Sequence, residues 1–398
     1  MNQPHADIRP VLRAAETLVA AGGLRGLSLR PLAEQMGSTV SALSHRFGLK
    51  DDLVAALIDA ARVEDGAFLD AWLARSRALA PLNGALLANL TDAILDDLSG
   101  PQALRSQFYC ELLLGAPTRP EIAAPLAAWR DQRRAFWRAA AQPLGRPELG
   151  DALDAFTIDE TAHGLALGDL AAYRWLRRLA LHRLCGDIVP APGASDLREF
   201  EVLHATLGEL MEGPDGYQSP RMSDWQAGVA GDIAAVIIAE GADAVTHRAI
   251  AARAGVASST LAYHFPRQED LLTAGLEDII ARLHGRVYRP AHAVDAAAED
   301  LSSVEIARAT FALALAATRN PRLKACAADM RRRRGENYLT ILNRLRPEDS
   351  PFDLLSAQTL SITGIGRIIL DGLLKGHPGA IDFTVVEHLQ GIALASKR

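Results

Sequence analysis

Apolar residues recur at spacings of three and four along almost the whole chain, which is the pattern of amphipathic helices. Examples are the faces formed by Ile8, Leu12, Ala15, Leu18 and Val19, by Leu53, Leu57, Ala60 and Ala61, and by Ile306, Ala309, Leu313 and Ala316. No segment alternates with period two over the length of a strand. The pattern therefore predicts an all-α protein.

The chain also contains an internal repeat. Residues 27–54 align without a gap to residues 245–272, with Arg30 opposite Arg248, 218 residues further on. A weaker match joins residues 118–137 to residues 319–338 at a spacing of 201 residues. Such self-similarity indicates a duplicated unit of roughly two hundred residues. Each half is expected to have a small head of three helices followed by a larger helical body.

Each copy of the repeat has the local signals of a helix-turn-helix. In the first copy Ser28 can cap a helix, Gly37 permits a tight turn, and Thr39 can cap the next helix, Val40 to Phe47. Thr246 and Gly255 stand at the corresponding positions of the second copy. A short helix, a glycine turn and a second helix with an exposed face form the arrangement that enters a DNA major groove.

These motifs resemble the TetR family of bacterial transcription regulators. The resemblance rests on the spacing S/T-x-R-x-x-A-x-x-x-G, then L-x-x-x-F, then an acidic helix start, found twice at the same length. Members of that family normally bind DNA as homodimers. The resemblance therefore implies a dimer fused into one polypeptide, with two TetR-like units.

The resemblance also implies which residues contact DNA. Arg30 and Arg248 lie early in the second helix of each head, and the starts of the two recognition helices face the bases. Their far ends, and Lys50 at the start of the fourth helix, face phosphates. The full predicted set is Ser28, Arg30, Thr39, Val40, Ser41, Ala42, Ser44, His45, Arg46 and Lys50 in the first head, and Thr246, His247, Arg248, Ser258, Ser259, Thr260, Tyr263, His264 and Gln268 in the second.

Three of these positions depart from the family pattern. Ser44 and Ala262 replace the usual tyrosine that contacts the backbone, and Gln268 stands where Lys50 does in the first copy. The second head therefore lacks one positive charge. The two heads also differ at nearly every position that would face a base, so an operator read by both would be asymmetric.

The repeat and the composition between its copies predict the domain boundaries. The first head covers residues 1–50 and its regulatory body residues 51–211. Residues 212–222, rich in proline and glycine, form a linker. The second head covers residues 223–268 and the second body residues 269–398. The apolar segments 356–374 and 383–395 could pack against a further copy of the chain.

Aromatic residues are concentrated in the first body, which makes it the preferred place for a small-molecule effector. The candidate lining residues are Trp72, Phe108, Tyr109, Trp129, Phe136, Trp137 and Phe156. Aromatic residues at helical spacing can equally form an ordinary core. The sequence gives no identity for the effector.

Two charged motifs allow other interpretations. Glu160-x-x-His163 and Glu201-x-x-His204 have the spacing of carboxylate-bridged metal bundles. Too few further glutamates are available, so solvated helix faces explain both pairs better, and no metal or cofactor is predicted. Residues 331–334 are four consecutive arginines. They point in different directions on a helix and are interpreted as a solvated stripe, of which one or two can face the other half.

Composition limits the class of protein further. The 398 residues are 49% hydrophobic and 23% charged, with a net charge of −6. That balance excludes a strongly basic nucleic-acid coat but allows a locally basic DNA-binding face. Three widely separated cysteines, no long apolar run and no apolar leader predict a cytoplasmic protein with reduced thiols and no membrane contact. Lysine supplies only four of the 42 basic residues, a bias typical of GC-rich bacterial genomes.

Together these observations predict a DNA-binding transcription regulator, not an enzyme. The preferred hypothesis is a ligand-responsive repressor that binds double-stranded operator DNA as a single-chain pseudo-dimer. One alternative is a chain with one inactive head that dimerises through its bodies. Another is a helical small-molecule-binding or interaction module that has lost DNA binding.

Overall fold

A computed structural model describes residues 8–188, 196–212, 222–241, 244–288, 303–336, 339 and 352–371. Within these ranges the chain is helical and contains no strand, which confirms the all-α prediction. The helices of the first unit are α1 Arg9–Gly22, α2 Leu29–Gln35, α3 Val40–Phe47, α4 Lys50–Ala78, α5 Gly84–Ser99, α6 Ala103–Gly115, α7 Pro120–Ala141, α8 Pro147–Leu167, α9 Ala171–Cys185 and α10 Asp196–Glu212. Those of the second unit are α11 Asp224–Glu240, α12 His247–Ala254, α13 Ser258–His264, α14 Gln268–Tyr288, α15 Ser303–Arg319, α16 Lys324–Arg332 and α17 Leu354–Asp371.

Both heads consist of three short helices packed on the start of a long fourth helix. In the first head Leu12 of α1, Leu32 of α2 and Leu43 of α3 are buried together. The second head buries Ile250 and Leu261 at the positions of Leu32 and Leu43. This repetition of the core positions shows that the two heads are copies of one structural unit.

Helix α8 lies at the centre of the two bodies. Nearly every residue from Leu149 to Leu167 is buried, because α8 packs against α5, α6 and α7 of its own unit and against α15 and α17 of the other. Gly366 of α17 lies close to the main chain of α8, where a β-carbon would overlap the carbonyl oxygen of Ala155. The central contact between the units is thus a close helix pair.

Helices α8 and α17 are themselves copies of one element. Residues 202 positions apart are identical in the pairs Leu153/Leu355, Ala155/Ala357, Thr157/Thr359, Thr161/Thr363 and Gly164/Gly366. In both helices the second threonine donates its hydroxyl hydrogen bond to the carbonyl oxygen of the first, at 2.6 Å in α8 and 2.9 Å in α17. The repeat therefore continues from the heads into the centre of the bodies.

The interpretation of residues 331–334 as a solvated stripe is wrong. Arg331 and Arg334 are buried and reach α8 of the first unit, while Arg332 and Arg333 are half-buried. Arg331 lies in the last turn of α16 and Arg334 in the turn that follows the helix, and both contact the first unit. The prediction that one or two of these arginines could face the other half is therefore confirmed.

The solvated interpretation is also wrong for the first Glu-x-x-His pair. Glu160 and His163 are fully buried, and Glu160 is bound by Arg331. In the second pair Glu201 is exposed and His204 is half-buried. Among the described residues no three histidine, cysteine or acidic side chains are grouped so that they could hold a metal ion.

The three cysteines, Cys110, Cys185 and Cys326, are free thiols inside the structure. Burial raises the pKa of the Cys110 and Cys185 thiols to about 12. None of the helices in the described ranges is both long and apolar enough to cross a membrane. Of the two predicted C-terminal helices, the first corresponds to α17. Residues 383–395 and nearly all of the predicted linker lie outside the described residues.

Candidate nucleic-acid interface

The first helix-turn-helix is built by short-range interactions. Gly37 adopts a φ of 60° in the turn between α2 and α3, a conformation that glycine takes without steric cost. Thr39 caps α3, since its hydroxyl accepts a hydrogen bond from the main-chain N–H of Ala42 at 3.1 Å. Ser28 precedes α2 at the N-cap position but makes no capping hydrogen bond, so that part of the prediction is wrong.

Helix α3 presents an exposed face once Leu43 is buried. Thr39, Val40, Ser41 and Ala42 are exposed at its start, and His45 and Arg46 at its far end, whereas Ser44 is half-buried. The guanidinium of Arg46 lies 5.1 Å from the centre of the Phe47 ring. Small side chains at the start and basic ones at the end suit a helix that places its N-terminal turn against base edges.

The second head repeats this geometry with different residues. Thr246 caps α12 by accepting from the N–H of Ala249 at 3.0 Å, and Gly255 has a φ of 66°. Helix α13 exposes Ser258, Ser259 and Thr260 on its first turn. Tyr263, near the end of α13, is 81% exposed, which leaves its hydroxyl available to a phosphate.

The two arginines on the second helix of each head differ in their surroundings. Arg30 forms an exposed ion pair with Glu34, with 3.0 Å between Nε and Oε1. Arg248 is exposed and faces no such carboxylate, because alanine occupies position 252, which corresponds to Glu34. The side chain of Arg30 is thus held in an ion pair to which Arg248 has no counterpart at the matching position.

Three predicted residues of the second head make contacts within the protein. His247 donates from Nε2 to the carbonyl oxygen of Phe265 at 2.6 Å, and the His264 ring lies 4.3 Å from that of Trp225. Gln268 donates to the carbonyl oxygen of Val245. The amide of Gln268 is thus held by the head, while Lys50 at the matching position of the first head is exposed.

Arg267 is a residue that the sequence analysis missed. Its side chain is 75% exposed beside Gln268, and it forms a long ion pair of 3.4 Å with Asp270. Asp270 also accepts a hydrogen bond from the N–H of Arg267 at 2.8 Å, as Asp52 does from Leu49 at 2.9 Å in the first head. The positive charge that Gln268 lacks is present one residue earlier, at Arg267. Aligning Gln268 with Lys50 does not reveal this shift.

Both heads are tied to the bodies by side chains at corresponding positions. Gln107 of α6 donates to the carbonyl oxygen of Ala20 at the end of α1 and to the hydroxyl of Thr318 in the other unit, at 3.3 and 2.9 Å. Arg308 of α15, 201 residues further on, donates to Ile238 in the last turns of α11 and to Leu114 in the other unit, at 2.6 and 2.8 Å. Helices α6 and α15 also contact each other, so the two heads meet the bodies at one crossing.

The predicted effector-lining residues form a packed cluster. Phe108, Tyr109, Trp129, Phe136, Trp137 and Phe156 are buried, while Trp72 is half-buried and donates its indole N–H to Asp97 at 3.1 Å. The Tyr109 and Trp129 rings lie 4.7 Å apart, and the Arg133 guanidinium lies 4.1 Å from the centre of the Tyr109 ring. Asp65 accepts from Trp129 at 2.7 Å and from Arg133 at 2.8 Å.

Asp154 lies in the same region with an altered acidity. Burial raises the pKa of its carboxyl group to about 7, although Arg133, Arg130 and Arg134 act in the opposite direction. The folded protein therefore keeps a proton that the unfolded chain releases above its ordinary pKa, near 4. The contribution of Asp154 to the free energy of unfolding is fully present at low pH and is lost as the pH rises through 7.

We expect Asp154→Asn to remove that pH dependence. Between pH 5 and 7 the wild type should lose about 1.4 kcal/mol for each pH unit relative to the variant, as measured by urea denaturation. Asp151→Asn is the control, since Arg138 and Arg134 lower the pKa of Asp151 to about 2 and it stays ionised over this range. Parallel stability profiles for Asp154→Asn and the wild type would contradict the assignment.

The two exposed recognition helices, each following a short helix and a glycine turn, define a DNA-binding helix-turn-helix protein. The model of the family described as "Bacterial regulatory proteins, tetR family" matches residues 11–57 and again residues 233–274. Each half of the chain therefore carries a DNA-binding domain of the tetR type, which supports two TetR-like units. No curated protein matches it.

Proposed function

We propose that this chain is a ligand-responsive repressor of the bacterial cytoplasm that binds one asymmetric operator through both heads. The observation that carries the proposal is the pair of exposed recognition helices with different side chains, on heads whose α1 and α11 both bind the crossing of α6 and α15. Each unit supplies one DNA-binding head, as each subunit of a homodimer does. The two half-sites would then differ in sequence and lie about 34–36 Å apart, one turn of DNA.

The proposed switch acts through the connections between heads and bodies. An apolar effector entering the first body would displace residues of the aromatic cluster, which packs between α4, α6, α7 and α8. Movement of α6 changes the contacts of Gln107 with α1 and of α15 with α11, so both heads move together. Repression is relieved to the extent that the effector prefers the arrangement with the altered head spacing.

Selection of bound sequences from random duplex DNA, with purified full-length protein, tests the proposal. We expect one asymmetric site. Arg30→Ala and Arg248→Ala should each lower affinity for that site by about 1–3 kcal/mol, and each should relax a different half. A residue that contacts only phosphate would instead weaken binding to all sequences and reduce the salt dependence.

Glu34→Ala is the matched variant for this experiment. It gives the first head the uncharged neighbour that Arg248 already has, so it should strengthen binding without moving the preferred site. A palindromic site sensitive only to Arg30→Ala would overturn the two-headed proposal in favour of a dimer with one working head. No enrichment from folded, ligand-free protein would favour the binding-module alternative.

A further inference from the structure

The contact between the two units contains two fully enclosed ion pairs in which the first unit supplies the acid and the second unit supplies the base. Glu160 of α8 accepts from Nε of Arg331 at 2.7 Å, and Asp159 pairs with Nη2 of Arg334 at 3.0 Å. Glu160, Asp159 and Arg331 are completely inaccessible to solvent, and Arg334 is nearly so. Both acids belong to the first unit and both bases to the second.

Glu160 and Arg334 each make a further contact at this site. Tyr173 donates its hydroxyl hydrogen bond to Glu160 at 2.8 Å, and Arg334 also lies 3.4 Å from Nε2 of His163. A buried guanidinium without a carboxylate is strongly destabilising, because neither water nor a counter-ion replaces its partner. Arg331 and Arg334 therefore depend on α8 of the first unit.

The repeat shows that the second unit lacks the two acids of these pairs on its own central helix. At the positions on α17 that correspond to Asp159 and Glu160 stand Ser361 and Ile362, 202 residues further on. Neither residue carries a charge. A second unit facing a copy of itself would set Arg331 and Arg334 against serine and isoleucine.

The first unit has the matching arginines but uses one of them internally. Arg130 and Arg133 precede Arg331 and Arg334 by 201 residues. Arg133 is already neutralised by Asp65 of its own unit, at 2.8 Å. The position corresponding to Asp65 in the second unit is occupied by leucine, at residue 283. The second unit thus keeps both arginines, but its α14 has leucine at the position of the acid that pairs with Arg133 in the first unit.

We propose that these two buried ion pairs make the second unit selective for the first and prevent the second unit from pairing with a copy of itself. A second unit therefore pairs with a first unit and not with another second unit. The inference rests on the proposed pseudo-dimer but concerns pairing alone. Its test involves no DNA, so a failure of operator binding and a failure of selective pairing are distinguishable.

The test uses the full chain with a protease site inserted between residues 213 and 221 and cut after folding. Cut protein is mixed with an isotopically heavy cut copy, diluted, incubated to equilibrium and examined by native mass spectrometry. We expect complexes of one first half with one second half, light and heavy exchanging freely. Pairs of two second halves at more than about a tenth of the total would overturn the proposal.

Glu160→Gln tests the role of the charge itself. Loss of the carboxylate leaves Arg331 buried and unpaired, so the halves should dissociate at least about 100-fold more readily than in the wild type. Adding Arg331→Met to this variant should restore association, since both charges are then removed. Tight association of Glu160→Gln, or failure of the double variant to recover, would count against the proposal.

Asp169→Asn is the matched control. Lys324 and Asp169 also form an ion pair between the units, at 2.5 Å, but Asp169 is 69% exposed. Exposed pairs contribute little, so this variant should associate like the wild type. A loss equal to that of Glu160→Gln would mean that any charge change disrupts the contact, which contradicts a specific role for the buried pairs.

Discussion

Asp65→Ala is expected to lower the free energy of unfolding by about 3–5 kcal/mol, because it leaves the buried Arg133 guanidinium without its carboxylate. Asp65 is 1% exposed and accepts hydrogen bonds from both Trp129 and Arg133. Burial by itself would lower the pKa of Arg133, but the Asp65 carboxylate has the larger effect and holds this pKa above its ordinary value. Removing this one carboxylate therefore leaves two polar groups unsatisfied at the centre of the aromatic cluster.

Urea denaturation followed by circular dichroism measures this effect. Asp151→Ala is the control, because Asp151 also binds two arginines of α7, Arg134 and Arg138, but these are partly exposed. The control should cost about 1 kcal/mol or less. Arg133→Met in the Asp65→Ala background should recover much of the loss. Equal losses for the two aspartates would show that burial of the Asp65 pair has no special weight.

Gly366→Ala is expected to lower the free energy of unfolding by about 1–3 kcal/mol, because one added methyl group forces α17 away from α8. The atom in its path is the carbonyl oxygen of Ala155, which cannot rotate aside as a side chain can. The central contact between the two units must open for the methyl group to fit. Thermal unfolding of Gly366→Ala and of the wild type measures the difference in stability.

Gly164→Ala provides the comparison within the same repeat. Gly164 corresponds to Gly366, but a β-carbon there would lie 3.3 Å from the Ser99 side chain and clear of α17. Alanine is also the better helix former by about 1 kcal/mol, so this variant should be close to neutral. A Gly366→Ala protein as stable as Gly164→Ala would show that α8 and α17 are not in close contact.

Features of the heads that depend on neighbouring residues were predictable from the sequence. The turns at Gly37 and Gly255 and the caps at Thr39 and Thr246 occur where they were predicted. Each depends on a backbone conformation or a hydrogen bond that spans four residues or fewer. The cap predicted for Ser28 did not form, since the N-cap position was right but its hydroxyl makes no bond to the helix.

Contacts between distant parts of the chain were not predictable in the same way. The arginine run at residues 331–334 has the composition of a solvated face, and only the position of α8 shows that two of its members are buried. The sequence predicts a weakened phosphate contact at Gln268. In the structure the amide of Gln268 is bound to Val245, and the neighbouring Arg267 is exposed. Helical periodicity gives the face of a helix but not the partner that covers it.

By itself the sequence determined that this protein is helical, duplicated and equipped with two helix-turn-helix heads, because those properties are carried by local spacing and by the repeat. Only the tertiary structure decided which charges are buried, how both heads attach to the crossing of α6 and α15, and that α8 is the shared centre of the two bodies. The physical reason is that a buried charge is stable only beside its partner. The partners here, Glu160 and Arg331, lie 171 residues apart in the chain.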